Sequence, residues 1–242
     1  MKIAAALLFW IAGAGGVLAG SNAQVIAAKF AEPTTRYAHG ILGDAVEWGA
    51  LSLVVDGCPD QSETCRKTVT YRLPDTRVFE DVETRLADLD GDGLSEVIVI
   101  ETHVNRGASL AVYGAQGKLA ATPHIGSSNR WLAPVGAADL DGDGRVEIAY
   151  VDRPHLAKTL RVWRWQGGGL HHVADLPGVT NHRIGEDYIS GGIRKCGGLP
   201  EMIVASANWQ RLVAVTLQGG QLSATDIGAH NGRESFRKAL RC

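Results

Sequence analysis

Residues 137–152 read AADLDGDGRVEIAYVD, and residues 86–101 read LADLDGDGLSEVIVIE. Each places three aspartates on alternate positions, Asp88, Asp90 and Asp92 in one copy and Asp139, Asp141 and Asp143 in the other. A glycine follows, then an apolar run. Like charges this close repel, so an oxygen-rich loop of this kind implies a hard cation. The run after it is apolar at nearly every position, which is how a strand covered on both faces reads. Two copies of loop plus strand make a repeat, and the repeat sets the architecture.

Four short marks space the repeat along the chain: Thr35-Arg36-Tyr37, Thr76-Arg77-Val78, Asn129-Arg130-Trp131 and His182-Arg183-Ile184. Each leads, through a short mixed stretch and a loop, to an apolar strand: WGALSLVV, EVIVIE, EIAYVD and EMIVAS. A glutamate opens the last three, at Glu96, Glu147 and Glu201. Two further strands follow in each of the last three units, for example TLRVWRWQ and LHHVADL, turned by QGGG at residues 166–169. About four short antiparallel strands in each unit of roughly fifty residues are the pattern of a propeller blade. The expected fold is therefore all-β: a small β-propeller of about four blades of four antiparallel strands. The closing stretch NGRESFRKALRC has helical spacing and makes a short C-terminal tail.

In the first loop, Asp88, Asp90 and Asp92 occupy ligand positions 1, 3 and 5, Leu94 offers its carbonyl, and Glu96 closes the shell. The second loop repeats this with Asp139, Asp141, Asp143, the Arg145 carbonyl and Glu147. Six or seven oxygens suit Ca²⁺ better than Mg²⁺, and two intact loops imply about two ions. An EF-hand begins the same way but needs a glutamate at position 12, where Val99 and Tyr150 stand, and needs flanking helices.

The loops in ADLDGDGLSEVIVI and ADLDGDGRVEIAYV resemble those of FG-GAP/VCBS repeat proteins, a β-propeller family that includes the integrin α-subunit head. The resemblance covers residues 80–113 and 131–165 and implies that each loop joins the first two strands of a blade and binds Ca²⁺. Two departures stand out. Glutamate stands at Glu96 and Glu147 where the family usually has aspartate. The fourth unit has IRKCGGLPE in the loop position, without the aspartates, and the first offers only Asp44 and Glu47.

The start MKIAAALLFWIAGAGGVLAGSNAQ reads as a signal peptide over 1–23, with Lys2, an apolar core and a small-residue cleavage site. The remainder, 24–242, reads as a single FG-GAP/VCBS-type domain with no transmembrane segment after signal removal, periplasmic or secreted. Four cysteines fit an oxidising compartment. Cys58 and Cys65 flank a short polar loop and are expected to pair, which leaves Cys196 for Cys242. A formal net charge of −2 argues against a nucleic-acid partner.

Residues that would line a central channel are Arg36, His39, Arg77, Glu80, Asp81, Arg130, His182, Arg183, Glu186 and Asp187. Carboxylates near arginines can hold a ligand or run acid–base chemistry on a sugar, or can simply pin the blades together. No nucleophile elbow, phosphate loop or zinc spacing occurs, so catalytic residues are not assigned. Three functions follow from these residues. The first is a calcium-stabilised, non-catalytic binding module for an unknown protein or glycan. The second is a small carbohydrate-active hydrolase or lyase, and the third is a scaffold subunit of a cell-envelope complex.

Overall fold

A computed structural model describes residues 23–57 and 65–242. The expected leader, apart from its last residue, and Cys58 of the expected Cys58–Cys65 pair lie outside the described residues. The described chain is all-β with one short helix. The first unit supplies β1 (Gln24–Thr34), β2 (Glu47–Asp56) and β3 (Arg66–Arg72). The second supplies β4 (Arg77–Phe79), β5 (Arg85–Ala87), β6 (Glu96–His103), β7 (Gly107–Gly114) and β8 (Gly117–Ala121). The third is β9 (Leu132–Ala138), β10 (Glu147–Asp152), β11 (Thr159–Gln166) and β12 (Gly169–Pro177). The fourth is β13 (Val179–Thr180), β14 (Gly192–Arg194), β15 (Glu201–Ser206), β16 (Arg211–Gln218) and β17 (Gln221–Ala229), followed by α1 (Arg233–Ala239).

All pairings are antiparallel, and the strands form three sheets. The third unit is a four-stranded meander of its own. The fourth has the same order, with β13 and β14 sharing one edge of β15. The second unit does likewise with β4 and β5 along β6. The first and second units merge into one eight-stranded sheet through a single pairing of Trp48 with Phe79. The first unit also departs from the expected order. Its edge strand β1 precedes the Thr35-Arg36-Tyr37 mark, and residues 35–46 contain no strand.

Side-chain alternation on the second strands explains how the units stack. Val97 and Val99 of β6 face a cluster with Leu51, Leu53 and Val55 of the first unit. Ile98 and Ile100 point the other way, against Trp131, Leu132, Ile148 and Tyr150 of the third. Ala149 and Val151 of β10 then meet Met202 and Val204 of β15. The far face of β15, Ile203 and Ala205, is covered by Phe236 of α1. Both faces of β6, β10 and most of β15 are thus buried, and this is why those strands carry no polar alternation. The tail is fastened there by the Cys196–Cys242 disulfide and by Arg194, which donates to the Ala239 carbonyl at 2.8 Å. Hairpins β11–β12 and β16–β17 turn on Gly167-Gly168 and Gly219-Gly220. Both residues of each pair have positive φ, as a two-residue hairpin loop of the right twist requires.

One charged residue inside a buried strand went unnoticed in the sequence. Glu101, fully buried on β6, takes Arg77 Nη1 at 2.5 Å, the Tyr113 hydroxyl at 2.9 Å and Lys118 Nζ at 2.5 Å. Burial pushes its carboxyl up, but Lys118, Tyr113 and Arg77 outweigh that and hold it below the usual range. Its stabilisation is therefore present above about pH 4.5 and is lost as pH falls. Glu101→Gln should lower unfolding free energy at pH 7 by about 2 kcal/mol, because it takes the buried carboxylate from two partly exposed cationic heads. The loss should shrink at pH 3; an equal loss at both pH values in urea titrations would contradict the assignment. Cys242→Ser should cost about 2–4 kcal/mol by releasing the tail, read in the same way.

Candidate metal centres

Both acidic loops sit at the same place in successive units, between the first and second strands. The first joins β5 to β6 and the second joins β9 to β10. Their internal bonding is nearly identical. Asp88 accepts the N–H groups of Gly91 (2.8 Å) and Gly93 (3.0 Å), and Asp139 accepts those of Gly142 (2.8 Å) and Gly144 (2.9 Å). Gly91, Gly93, Gly142 and Gly144 all have positive φ, so the tight winding needs glycine at each. Leu89 and Leu140, the leucines of the two DLDGDG stretches, are buried in the adjoining cores. Their N–H groups donate to Glu96 Oε2 at 2.9 Å and Glu147 Oε2 at 2.8 Å. Sequence reasoning passed over these leucines, although an apolar residue locked between two aspartates is a visible signal for an anchor.

In each loop the structure brings three of the expected side-chain ligands together. Asp88, Asp90 and Glu96 offer oxygens within 4.8 Å of one another, as do Asp139, Asp141 and Glu147. Asp92 and Asp143 stay outside these triads and accept the N–H groups of Leu94 (2.7 Å) and Arg145 (3.0 Å). The donor set is all oxygen and suits a hard divalent cation. Around the first triad no cationic side chain pairs with any loop carboxylate among the described residues. Burial pushes the Glu96 carboxyl up, and the charges of Asp90, Asp92 and Asp88 add to it. A bound cation would relieve both effects.

Glu96 and Glu147 belong to a larger set. Glu47 opens β2 as Glu96 opens β6, Glu147 opens β10 and Glu201 opens β15. Glu201 is satisfied by Arg194 directly opposite on β14, with Nε to Oε2 at 2.7 Å. Glu47, 2% exposed, has no loop of aspartates around it. Burial pushes its carboxyl up to about 9, with the nearby charges of Glu80, Asp44 and Asp81 adding to the effect. It carries a proton at neutral pH.

The expected channel residues lie mostly outside the strands. Only Arg77 lies on a strand; Arg36, His39, Arg130, His182, Arg183, Glu186 and Asp187 lie in loops. Glu80 is fully buried, bonded to His39 Nδ1 and to the Thr102 hydroxyl at 2.5 Å, and Asp81 is paired with Arg85 at 2.8 Å. The four repeated arginines do different things. Arg36 donates to the Arg77 carbonyl (2.9 Å from Nε), Arg77 pairs with Glu101, Arg130 donates to the Asn129 carbonyl at 2.7 Å, and Arg183 lies over Trp209. His182 bridges His155 (3.1 Å) and the Glu186 carbonyl (2.9 Å), Glu186 accepts from the Tyr188 hydroxyl at 3.1 Å, and Asp187 is exposed. Where loops of the first, third and fourth units meet, a cavity of about 280 Å³ is lined by His39, Arg130, Trp131, His155, Leu156 and Ile184. Burial, then the neighbouring His182, pushes His155 down to about 4, so it is neutral there at physiological pH.

These features define a class: an all-β repeat protein with acidic, cation-suited loops between paired strands. Residues 88–150, which span both loops, match the model of the FG-GAP-like repeat, so that stretch carries FG-GAP-like repeats. No curated protein matches the chain.

The raised carboxyl of Glu47 gives a pH test. The unfolded chain ionises it near 4.5 and the folded chain near 9, so its effect on stability becomes more unfavourable as pH rises between those values. Glu47→Gln should raise the melting temperature at pH 8 by about 2–8 °C, from about 1–2 kcal/mol, and leave it unchanged below pH 4.5. A gain of the same size at both pH values would remove the buried proton from the account.

Proposed function

We propose that residues 24–242 form a calcium-stabilised β-propeller domain of about four blades, exported behind a signal peptide at 1–23, that acts as a non-catalytic binding module. One observation carries the reading: two loops at equivalent places in successive units each converge three carboxylates on one point. When bound, Ca²⁺ would supply positive charge to the carboxylates that converge in each loop. Asp88, Asp90 and Glu96 would hold one ion, and Asp139, Asp141 and Glu147 a second, giving about two per chain. The protein's own part is to set the loop: glycine N–H groups orient Asp88 and Asp139, and a buried leucine fixes each loop to the core.

Export is supported by the Cys196–Cys242 disulfide and by the apolar leader pattern. No helix of the described residues is long and apolar enough to cross a membrane. A binding role is favoured over sugar cleavage because Glu80 and Asp81 are buried and committed to His39, Thr102 and Arg85. The cavity beside Arg130, with Leu156 and Ile184 exposed at its rim, offers a contact surface for a protein or glycan. An envelope scaffold would use the same surface.

Chelator-stripped protein should melt at a lower temperature than protein in excess Ca²⁺. The stabilisation is about 2.7 kcal/mol at one hundred times the dissociation constant. Asp90→Asn should abolish most of that gain. A melting temperature indifferent to Ca²⁺ would remove calcium from the proposal. Arg130→Ala and Leu156→Asp should weaken capture of a partner in glycan arrays and envelope-extract pull-downs without altering calcium stabilisation. Release of shortened sugars by the wild type would instead favour the enzyme.

A further inference from the structure

We propose that the two loops are not equivalent: Arg164 latches the second loop in the place where the first depends on a metal ion, so only the first is a tight calcium site. The inference rests on the reading of both loops as cation sites and concerns a residue outside either loop.

Arg164 lies on β11, directly opposite Glu147 on β10. Its guanidinium spends all three nitrogens on the second loop. Nε meets Glu147 Oε1 at 2.5 Å, Nη2 meets Asp141 Oδ2 at 2.6 Å, and Nη1 stands 3.0 Å from Asp143 Oδ2. Three of the four loop carboxylates are therefore tied to one side chain that is itself only 17% exposed. The fourth, Asp139, is occupied by the Gly142 and Gly144 N–H groups. A planar guanidinium suits such a cluster because its fixed fork meets several carboxylate oxygens at once.

The corresponding place in the first loop holds no cationic side chain; Leu119 packs over it instead. β6 pairs with β7 through Val97 and Tyr113, so the register places Gly114 across from Glu96. The cations on the flanking strands are committed elsewhere, Arg85 of β5 to Asp81 and Lys118 of β8 to Glu101. No ion pair reaches Asp88, Asp90, Asp92 or Glu96 among the described residues, so that loop retains four uncompensated carboxylates. An incoming Ca²⁺ there meets carboxylates held only by backbone N–H groups and by no cationic side chain. At the second loop it must first displace Arg164 from Asp141 and Glu147, which are two of the three converging ligands.

The fourth unit shows the same substitution carried further. Its loop has lost the aspartates, and Arg194 on the inner strand neutralises Glu201. Arginine thus replaces the ion from the third strand in one unit and from the first strand in another. The loop can be closed from either neighbour.

Calorimetric titration of the full mature chain with Ca²⁺ alone tests this. Wild type should bind one tight equivalent, lost in Asp90→Asn and kept in Asp141→Asn. Arg164→Gln, which removes the cation as Gly114 does in the first loop, should tighten binding at the second loop at least tenfold and show two tight equivalents. A second readout is thermal stability in chelator, which Arg164→Gln should lower and added Ca²⁺ should restore by more than it does in wild type. Two equal tight equivalents in wild type would overturn the inference, and so would a tight equivalent surviving Asp90→Asn. Those two measurements do not need the arginine variant to fold. Absence of any Ca²⁺ binding, in wild type and variants alike, would instead sink the calcium reading itself.

Discussion

The structure turns on one recurring problem, a carboxylate placed at the head of each unit's buried second strand. A charged carboxylate out of water is costly unless it is paired or neutralised. Glu47, Glu96, Glu147 and Glu201 stand at four equivalent points and meet that constraint in different ways. Glu47 holds its proton, Glu96 sits among aspartates suited to a cation, Glu147 takes Arg164, and Glu201 takes Arg194. Repeats diverge most easily where several chemistries satisfy the same electrostatic need. The glutamate stays while its partner changes.

Retention of the glutamate has a local reason. In the second and third units its second oxygen receives the N–H of the loop's buried leucine, Leu89 or Leu140. That bond couples the loop's winding to the start of the strand, and the leucine couples the loop to the core between units. Anything that settles the carboxylate's charge therefore also settles the junction of two sheets. Cation binding at such a loop acts on the stack of units as well as on the loop itself.

Neighbouring units depend on each other through their second strands, whose odd and even residues face different clusters. The helix extends the same logic at the chain's end. A sheet stack must finish with something that covers its last apolar face, and Phe236 does so for Ile203 and Ala205. Cys196–Cys242 and the Arg194 bond to Ala239 hold that cover in place. Arg194 thereby serves both the repeat glutamate and the tail.

Local pattern determined much of this protein. The apolar second strands, the hairpin glycines, the duplicated DLDGDG loops, the helical tail and the Cys196–Cys242 pair were all legible in the sequence. Each reflects constraints within a few residues or a single counting argument. Partners set by register across strands were not legible. Arg164 follows Glu147 by a hairpin's length and faces it only because β10 and β11 pair as they do, while the same register leaves Gly114 beside Glu96. The merging of the first two units through Trp48 and Phe79, and the committed pairs of Glu80 and Glu101, are likewise contacts between distant segments. A sequence reports the charge a side chain carries and the spacing between charges. Which opposite charge lies within 3 Å depends on the packing of strands, so the neutralisation of each repeat carboxylate was decided by the tertiary structure alone.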